Sequence, residues 1–508
     1  MRASLAATTC LMLVALLAAC GSSETAGPAK LVPRDSAVYG ELTIDPEGDE
    51  EEAVRDIAGR FPGGEDINEQ IDRSLGEALR EENVDYDKEV KPYLGEEAVF
   101  FISGVREDSA DGAAIIEVTD EEKARAALEK LAAGSGSEEK PRKRSYEGND
   151  YVLDGDAAAG VVDQHAVIGT EEGFKAAVKT SKESADTIED SERVRESLDR
   201  LPDDALASVY VDGKKLVSGL GAQGALLAPF LKVFDEPYVF GVSAESDAVV
   251  VDSTLPRALT AFAAPLFGQG TEAVGELPGD AWYGVGQPEV GKTFQSLVDL
   301  FAGAAGGQEQ VEGQVRSATG LDLNEDILAW MGDLGGFARG TSLEQLGAGV
   351  VIESKDPGVS KRSLAALARA ARREADPEVR VGRLTLPGGG DGFTVTAPEL
   401  PAPVHVVQRG DRVVVALGNA AAEDLLEPSQ TLADDGDFKA AADRLGDGFE
   451  IANYLEAAPV IELAESQGAS SDPDYQQAKP YLEPFARVVA GTKKDGEVVL
   501  SRTRIELR

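Results

Sequence analysis

The chain has 508 residues, 42% of them hydrophobic, and sets Lys+Arg 49 against Asp+Glu 92, for a formal net charge of −43 at pH 7. This length and apolar content exclude a wholly disordered polypeptide and favour two or more globular units. The charge repels phosphate backbones, which argues against nucleic-acid binding by general electrostatics, so partners are expected to be neutral, basic or cationic.

Met1-Arg2 followed by the apolar run Leu11–Ala19 reads as a secretory signal over residues 1–19, too short for a permanent membrane span. It ends in Leu17-Ala18-Ala19-Cys20-Gly21, which resembles the lipobox of bacterial lipoproteins, where the cysteine thiol receives a diacylglyceryl group. Cys10 lies in the segment to be removed, so Cys20 is the lipidation candidate and no mature intrachain disulfide is expected. Residues 20–30 are small, polar and aperiodic, as a flexible tether should be. The expected location is the extracytoplasmic face of the cell membrane, with the membrane itself the first partner through the acyl chains.

From Leu31 onward several blocks recur in the same order after a shift of about 240 residues, the signature of an internal duplication. Val32-Pro33-Arg34-Asp35 leads into Val38-Tyr39-Gly40 as Leu277-Pro278-Gly279-Asp280 leads into Trp282-Tyr283-Gly284, each a turn entering a strand. Asp85 to Glu96 matches Asp322 to Asp333, with Tyr93 and Trp330 expected in the same buried place. The strands Ala114–Glu117 and Val350–Glu353 follow, each feeding a helix. Val167-Ile168-Gly169 matches Val415-Ala416-Leu417-Gly418, and Arg200-Leu201 before Tyr210 matches Arg444-Leu445 before Tyr454. The fold expected is α+β: two tandem homologous domains, 31–270 and 271–508, each a mainly antiparallel sheet with helices packed on one face.

The opening Val32-Pro33-Arg34-Asp35-Ser36-Ala37-Val38-Tyr39, the segment Asp45-Pro46-Glu47-Gly48-Asp49 and the block Pro92-Tyr93-Leu94-Gly95-Glu96 resemble an uncharacterised, mostly actinobacterial family of exported or membrane-anchored proteins known as domain of unknown function 3352. The resemblance covers nearly all of the mature chain. It implies an envelope protein and carries over no activity or functional residue.

Motifs with chemical potential each meet a plainer reading. Gly286-Gln287-Pro288-Glu289-Val290-Gly291-Lys292-Thr293 fits the phosphate-binding pattern, in which Lys292 would reach the phosphates and Thr293 a magnesium ion. Export from the nucleotide pool opposes that, and the alternative is an ordinary helix start at Pro288-Glu289. Gly219-Leu220-Gly221-Ala222-Gln223-Gly224 fits a dinucleotide fingerprint but follows a helix-like stretch rather than a strand. Asp85, Asp87, Glu89 and Glu96, echoed by Asp322, Asn324, Asp326 and Asp333, have calcium-loop spacing, yet Val90 and Ile327 stand where such a loop needs glycine. A capped short helix is expected instead, from Asp85 or Asp322 to Gly95 or Gly332.

His165 and His405 read as structural strand residues. The acidic runs Asp45–Glu52 and Glu183–Glu192 read as solvated helix ends and loops, and Gly219–Phe234 with Leu259–Phe267 as a possible apolar lining. No catalytic constellation, cofactor site or metal site is expected. The function expected is therefore a lipid-anchored, non-enzymatic binding or organising module for an envelope protein, polymer or ligand. A carrier of a lipid or other apolar ligand is the alternative, and a P-loop-like nucleotide-binding enzyme the third.

Overall fold

The computed structural model describes residues 27–44, 46–64, 73, 76, 79–80, 84–106, 109–134, 140–183, 186–220, 235–256, 269–305, 308–496 and 498–508. The signal segment, Cys20, most of the tether, residues 221–224 of the glycine motif and the run Leu259–Phe267 lie outside them. The chain divides into two compact units, Met1–Pro256 and Arg257–Arg508, a division that falls ahead of the boundary expected near residue 270.

Unit 1 contains β1 (Val38–Thr43), β2 (Leu94–Arg106), β3 (Ser109–Val118), β4 (Arg142–Tyr146), β5 (Asn149–Asp154), β6 (Ala157–Val162), β7 (His165–Thr170), β8 (Ala207–Val211), β9 (Tyr238–Glu245) and β10 (Ala248–Pro256). These pair antiparallel in the order β4-β5-β6-β7-β3-β2-β1-β8-β9-β10. Short hairpins make this order possible: Asp163 and Gln164, at φ 44° and 63°, supply the two left-handed residues of a turn whose twist matches that of the strands it joins.

Unit 2 contains β11 (Tyr283–Gln287), β12 (Met331–Arg339), β13 (Gly347–Ser354), β14 (Arg380–Thr385), β15 (Asp391–Thr396), β16 (Val404–Arg409), β17 (Arg412–Leu417), β18 (Glu450–Glu456), β19 (Phe485–Asp495) and β20 (Val498–Leu507). Their antiparallel order is β14-β15-β16-β17-β13-β12-β11-β18-β19-β20. Strand for strand, this repeats the order of unit 1.

Register then pairs residues between the units. The row Tyr210, Tyr39, Phe101, Ala113, Gly169 corresponds to Tyr454, Gly284, Phe337, Gly349, Ala416. Tyr39 therefore answers to Gly284 rather than Tyr283, and Gly169 to Ala416 rather than Gly418. The sequence alignment is off by one or two residues, and a slip of one turns a strand's side chains to the opposite face. A second recurrence needs no such adjustment. Ile188 N donates to Val32 O at 2.9 Å and Leu432 N to Leu277 O at 2.9 Å. Each pairing sits beside a capping box, formed by Thr187 with Asp190 and by Thr431 with Asp434. The carbonyls of Tyr93 and Trp330 also occupy matching places, accepting from Thr119 N at 3.0 Å and Lys355 N at 2.8 Å. Their side chains differ in depth: Trp330 is buried, whereas Tyr93 is half-buried under the Lys123 ammonium, 4.6 Å from its ring.

The architecture is α+β, but the helices do not keep to one face. Adjacent residues of a strand point to opposite sides of a sheet. Val167 of β7 packs with Phe174, Ala177 and Val178 of the helix Glu171–Lys182, while its neighbour Ala166 packs with Ala124 and Leu128 of the helix Glu121–Gly134. In unit 2, Val414 belongs with Leu425 of the helix Gly418–Leu426 and Val413 with Leu364 of the helix Pro357–Glu374. The physical reason is that both parities of these strands are apolar, so leaving either face to water would cost about 25 cal/mol per Å².

Buried phenols add a pH dependence. Burial pushes Tyr210 and Tyr238 up to about 12 from an ordinary 10.0, and raises Tyr454, which donates to Glu456 Oε1 at 2.6 Å. A raised phenol stabilises the fold fully below the unfolded value near 10, and that stability is lost as pH rises through the folded value. The expected outcome is cooperative unfolding between about pH 10 and 12, with tyrosine ionisation at 295 nm lagging that of free tyrosine and then rising together with loss of far-ultraviolet dichroism. Ionisation of all 11 tyrosines near pH 10 with the dichroism intact would contradict it.

Candidate functional site: an apolar sheet face

The candidate site is the face of unit 1 opposite its dense core. On the core side, Tyr39, Phe101, Tyr210 and Val239 are 0–2% exposed. The other parity of the same strands gives the rows Phe100, Gly40, Val209, Phe240, Ser253 and Ala98, Leu42, Ala207, Val242, Val251. No charged side chain stands in either row. Toward β3 and β7 this face is closed by the helix Glu121–Gly134. Toward β9 it opens: Phe240 is 41% and Val242 37% exposed, with Val209 and Val251 half-buried beside them. An aromatic ring and a β-branched side chain left in water in mid-strand form an adhesive surface.

Unit 2 has an apolar row on the same face, two residues along the strands from the place of Phe240, where Asn453 and Thr503 stand instead. Tyr283, Leu455, Val488 and Ile505 are all half-buried, and the apolar helix Ala457–Ser466 packs against β19 with no fully buried residue of its own and Val460 37% exposed.

The phosphate-loop motif is filled from within. It does lie between a strand, β11, and a helix, Val290–Ala305. The Glu289 amide, however, donates to Asp333 Oδ1 at 3.0 Å, and Asp333 Oδ2 accepts from Thr271 Oγ1 at 2.7 Å. Lys292 pairs with the Glu289 carboxylate, which also meets Lys355 Nζ at 2.5 Å. These two lysines hold the Glu289 carboxyl below the usual carboxylate range. Thr293 Oγ1 accepts from Gln287 Nε2 at 3.1 Å and is buried. Gly291 has its own packing reason: a Cβ there would fall 2.2 Å from Leu328 O. Lys292, Thr293 and the Glu289 amide are thus each engaged within the protein. The other glycine motif begins at Gly219, the end of the helix Gly213–Gly219, not after a strand.

At both calcium-spaced blocks a carboxylate four residues on closes the amide of the helix N-cap, and in the second Asp322 itself caps the Asn324 and Glu325 amides. Asp85 N donates to Glu89 Oε2 at 3.1 Å and Asp322 N to Asp326 Oδ2 at 2.9 Å, the same reciprocal contact in both units. Asp85 is also paired with Lys88 at 2.6 Å, Glu89 with Lys130, and Asp322 with Arg316. Among the described residues no group of three His, Cys, Asp or Glu is placed to hold a metal. A polar recess of about 420 Å³ lined by Arg80, Val84, Asp85, Lys88, Glu89 and Lys130 lies beside the first cap. The helices begin where expected, but Gly95 and Gly332 do not end them: both lie in strands, β2 and β12. Their lack of a Cβ answers to close cross-strand approach, since a Cβ would fall 2.6 Å from Glu117 Cβ and 2.9 Å from Glu353 O.

His165 and His405 are buried strand residues, and burial lowers the pKa of both. His165 Nδ1 lies 2.5 Å from Asp163 O in the hairpin turn, to which it donates. Of the acidic runs, Asp49–Glu52 forms the first turn of the helix Asp49–Ala58, where negative charge is favoured by the exposed amides.

The apolar face was not among the expected sites. Its signal was present in Tyr238-Val239-Phe240-Gly241-Val242 and Val249-Val250-Val251, where both parities are apolar although an antiparallel strand with one wet face should alternate.

No curated protein matches the chain. Among solved structures it is similar to three crystal forms of TP0453. Form III matches with 8% identity over 49% of this chain and 90% of that one, at a TM-score of 0.26. Form IV matches with 10% identity over 48% and 86%, at 0.25, and form I with 8% over 46% and 80%, at 0.25. The family model described as protein of unknown function (DUF3352) matches residues 3–466, so the expected resemblance holds over nearly the whole chain, and the chain belongs to that family.

Proposed function

We propose that the protein is a non-enzymatic, lipid-anchored module of the cell envelope, built from two homologous α+β domains, that binds an apolar ligand on the open sheet face. The observation that carries this reading is the exposure of Phe240 and Val242, at 41% and 37%, within rows that contain no charge. The repeated strand order and the matching caps at Thr187 and Thr431 support the two-domain part of the proposal. The engagement of Lys292, Thr293 and the Glu289 amide within the protein favours this over the nucleotide reading.

The test is uptake of N-phenyl-1-naphthylamine, a neutral dye that fluoresces in apolar surroundings. The wild-type protein should enhance its emission, and Phe240→Asp should weaken binding about tenfold or more, because a carboxylate in the strip must be desolvated beneath the ligand. Melting temperature serves as the control, since Phe240 is a surface residue. No enhancement with the wild-type protein, or equal enhancement by a folded Phe240→Asp, would refute the assignment.

A further inference from the structure

The formal charge of −43 is not evenly spread over the molecule. In unit 2 the helix Pro357–Glu374 packs on β14 and β15, burying Ser360, Ser363, Leu364, Ala366 and Ala368. Its other side exposes Lys361, Arg362, Ala365, Arg369, Arg372 and Arg373. At the helical period these fall within one sector of about 120°, and Arg362 to Arg373 spans about 17 Å along the axis. No carboxylate stands in that sector. Arg383 of β14, also exposed, lies on the same side of the sheet: it pairs with Phe393, and Phe393 with Val406, which packs with Leu364 beneath the helix.

Most of these cations are not neutralised within the protein. Lys361 reaches Asp391 at 3.3 Å and Arg373 reaches Glu374 at 2.8 Å, both in solvent. Arg362 and Arg372 donate to backbone carbonyls instead, Gly358 O at 3.1 Å and Val381 O at 3.2 Å. Arg369 and Arg383 meet no partner among the described residues. The helix Glu121–Gly134 of unit 1 holds the corresponding place, yet there Lys123 pairs with Asp120 at 3.2 Å, Arg125 with Glu121 at 3.9 Å and Lys130 with Glu89. A chain with 92 acidic against 49 basic residues has carboxylates to spare. That Arg362, Arg369, Arg372 and Arg383 go without one is therefore a property of this surface, not of supply.

The planar fork of arginine matches phosphate oxygens two at a time. Here the forks stand in a row on the outside of a helix, where repeated anions on an extended surface can meet them together. With Ala365 the one apolar member, the stripe suits a layer of head groups rather than the acyl chains beneath. Fields are screened over about 8 Å at physiological ionic strength, so a surface touching the stripe meets its arginines and not the remote acidic surplus. We infer that this stripe of unit 2 is a docking surface for an anionic membrane, with its arginines seated on the phosphates of acidic lipid head groups. The inference rests on the lipid-anchored reading above, which brings a membrane within reach, and goes beyond it in naming a second contact and the lipid charge it selects.

The experiment uses the full mature chain carrying Cys20→Ser, which removes the acyl anchor, and measures its co-sedimentation with vesicles. One set is phosphatidylcholine alone and the other contains about one third phosphatidylglycerol. Near physiological salt the acidic vesicles should bind about tenfold more tightly or better, and at about 1 M salt, where screening closes to about 3 Å, the difference should vanish. The double variant Arg362→Gln and Arg369→Gln should weaken binding to acidic vesicles by about fivefold per arginine, with the melting temperature unchanged because both side chains are exposed. Lys123→Gln with Lys130→Gln removes the same charge from the matching helix of unit 1 and should leave vesicle binding as it was.

Equal binding to the two kinds of vesicle would overturn the inference, as would equal losses from the two double variants. Loss of vesicle binding in Phe240→Asp, with the stripe intact, would assign the contact to the apolar face of unit 1 and overturn it too. Arginine-dependent binding of soluble polyphosphate without binding to acidic vesicles would make the partner a phosphate polymer and not a membrane. None of these results removes the apolar-ligand reading, which stands or falls on dye uptake, or the anchor, which is tested by acyl labelling at Cys20.

Discussion

Phe101→Ala is expected to destabilise unit 1 by about 3–5 kcal/mol, the cost of deleting a fully buried ring whose surroundings cannot close on the cavity. Phe101 is 0% exposed and stands between Tyr39 and Ala113 in the central row of the core. A loss of that size is a large share of the roughly 5–15 kcal/mol that holds a domain together. Phe337 occupies the matching row of unit 2 at 3% exposure, so Phe337→Ala should cost a similar amount there. Urea unfolding of the two variants, followed by proteolysis to identify which unit opens first, checks both claims. A cost below about 1 kcal/mol at either position would mean that the row is not a packed core layer, and an effect confined to one unit would weaken the case for two equivalent domains.

Cys20→Ser is expected to shift the protein from the membrane pellet to the aqueous fraction. Stable anchoring needs more than one acyl chain, each buried methylene contributing about 0.8 kcal/mol, and a serine hydroxyl cannot form the thioether through which a diacylglyceryl group is attached. Among the described residues no helix is long and apolar enough to cross a membrane. Fractionation with metabolic labelling by a palmitate analogue gives the readout: label and pellet association should disappear together. Retention of the unlabelled variant in the pellet would place the attachment elsewhere in the chain and remove the basis for an anchor at Cys20.

Local chemistry was legible in the residues themselves. Val32-Pro33 and Leu277-Pro278 announced the turns that meet Thr187–Asp190 and Thr431–Asp434, and Asp85 and Asp322 announced helix starts, because a cap or turn is decided by groups only a few residues apart. The order of the blocks was readable as well, and the family with it. Register was not: Tyr39 faces the place of Gly284, not Tyr283, because alternation has a period of two and only hydrogen bonds to β2 and β8 choose between parities. Gly95 and Gly332 look like helix ends in one dimension because a glycine's reason, here a neighbouring strand's approach at Glu117 and Glu353, leaves no trace nearby in the chain.

The candidate site belongs to the same class. Phe240 and Val242 look like core residues in one dimension, as do Val167 and Ala166. Whether an apolar strand face is roofed depends on where helices distant in sequence come to rest. The residues determined which side chains would avoid water; the packing of remote segments determined which of them succeed, since burial is a property of neighbours brought together by the whole fold.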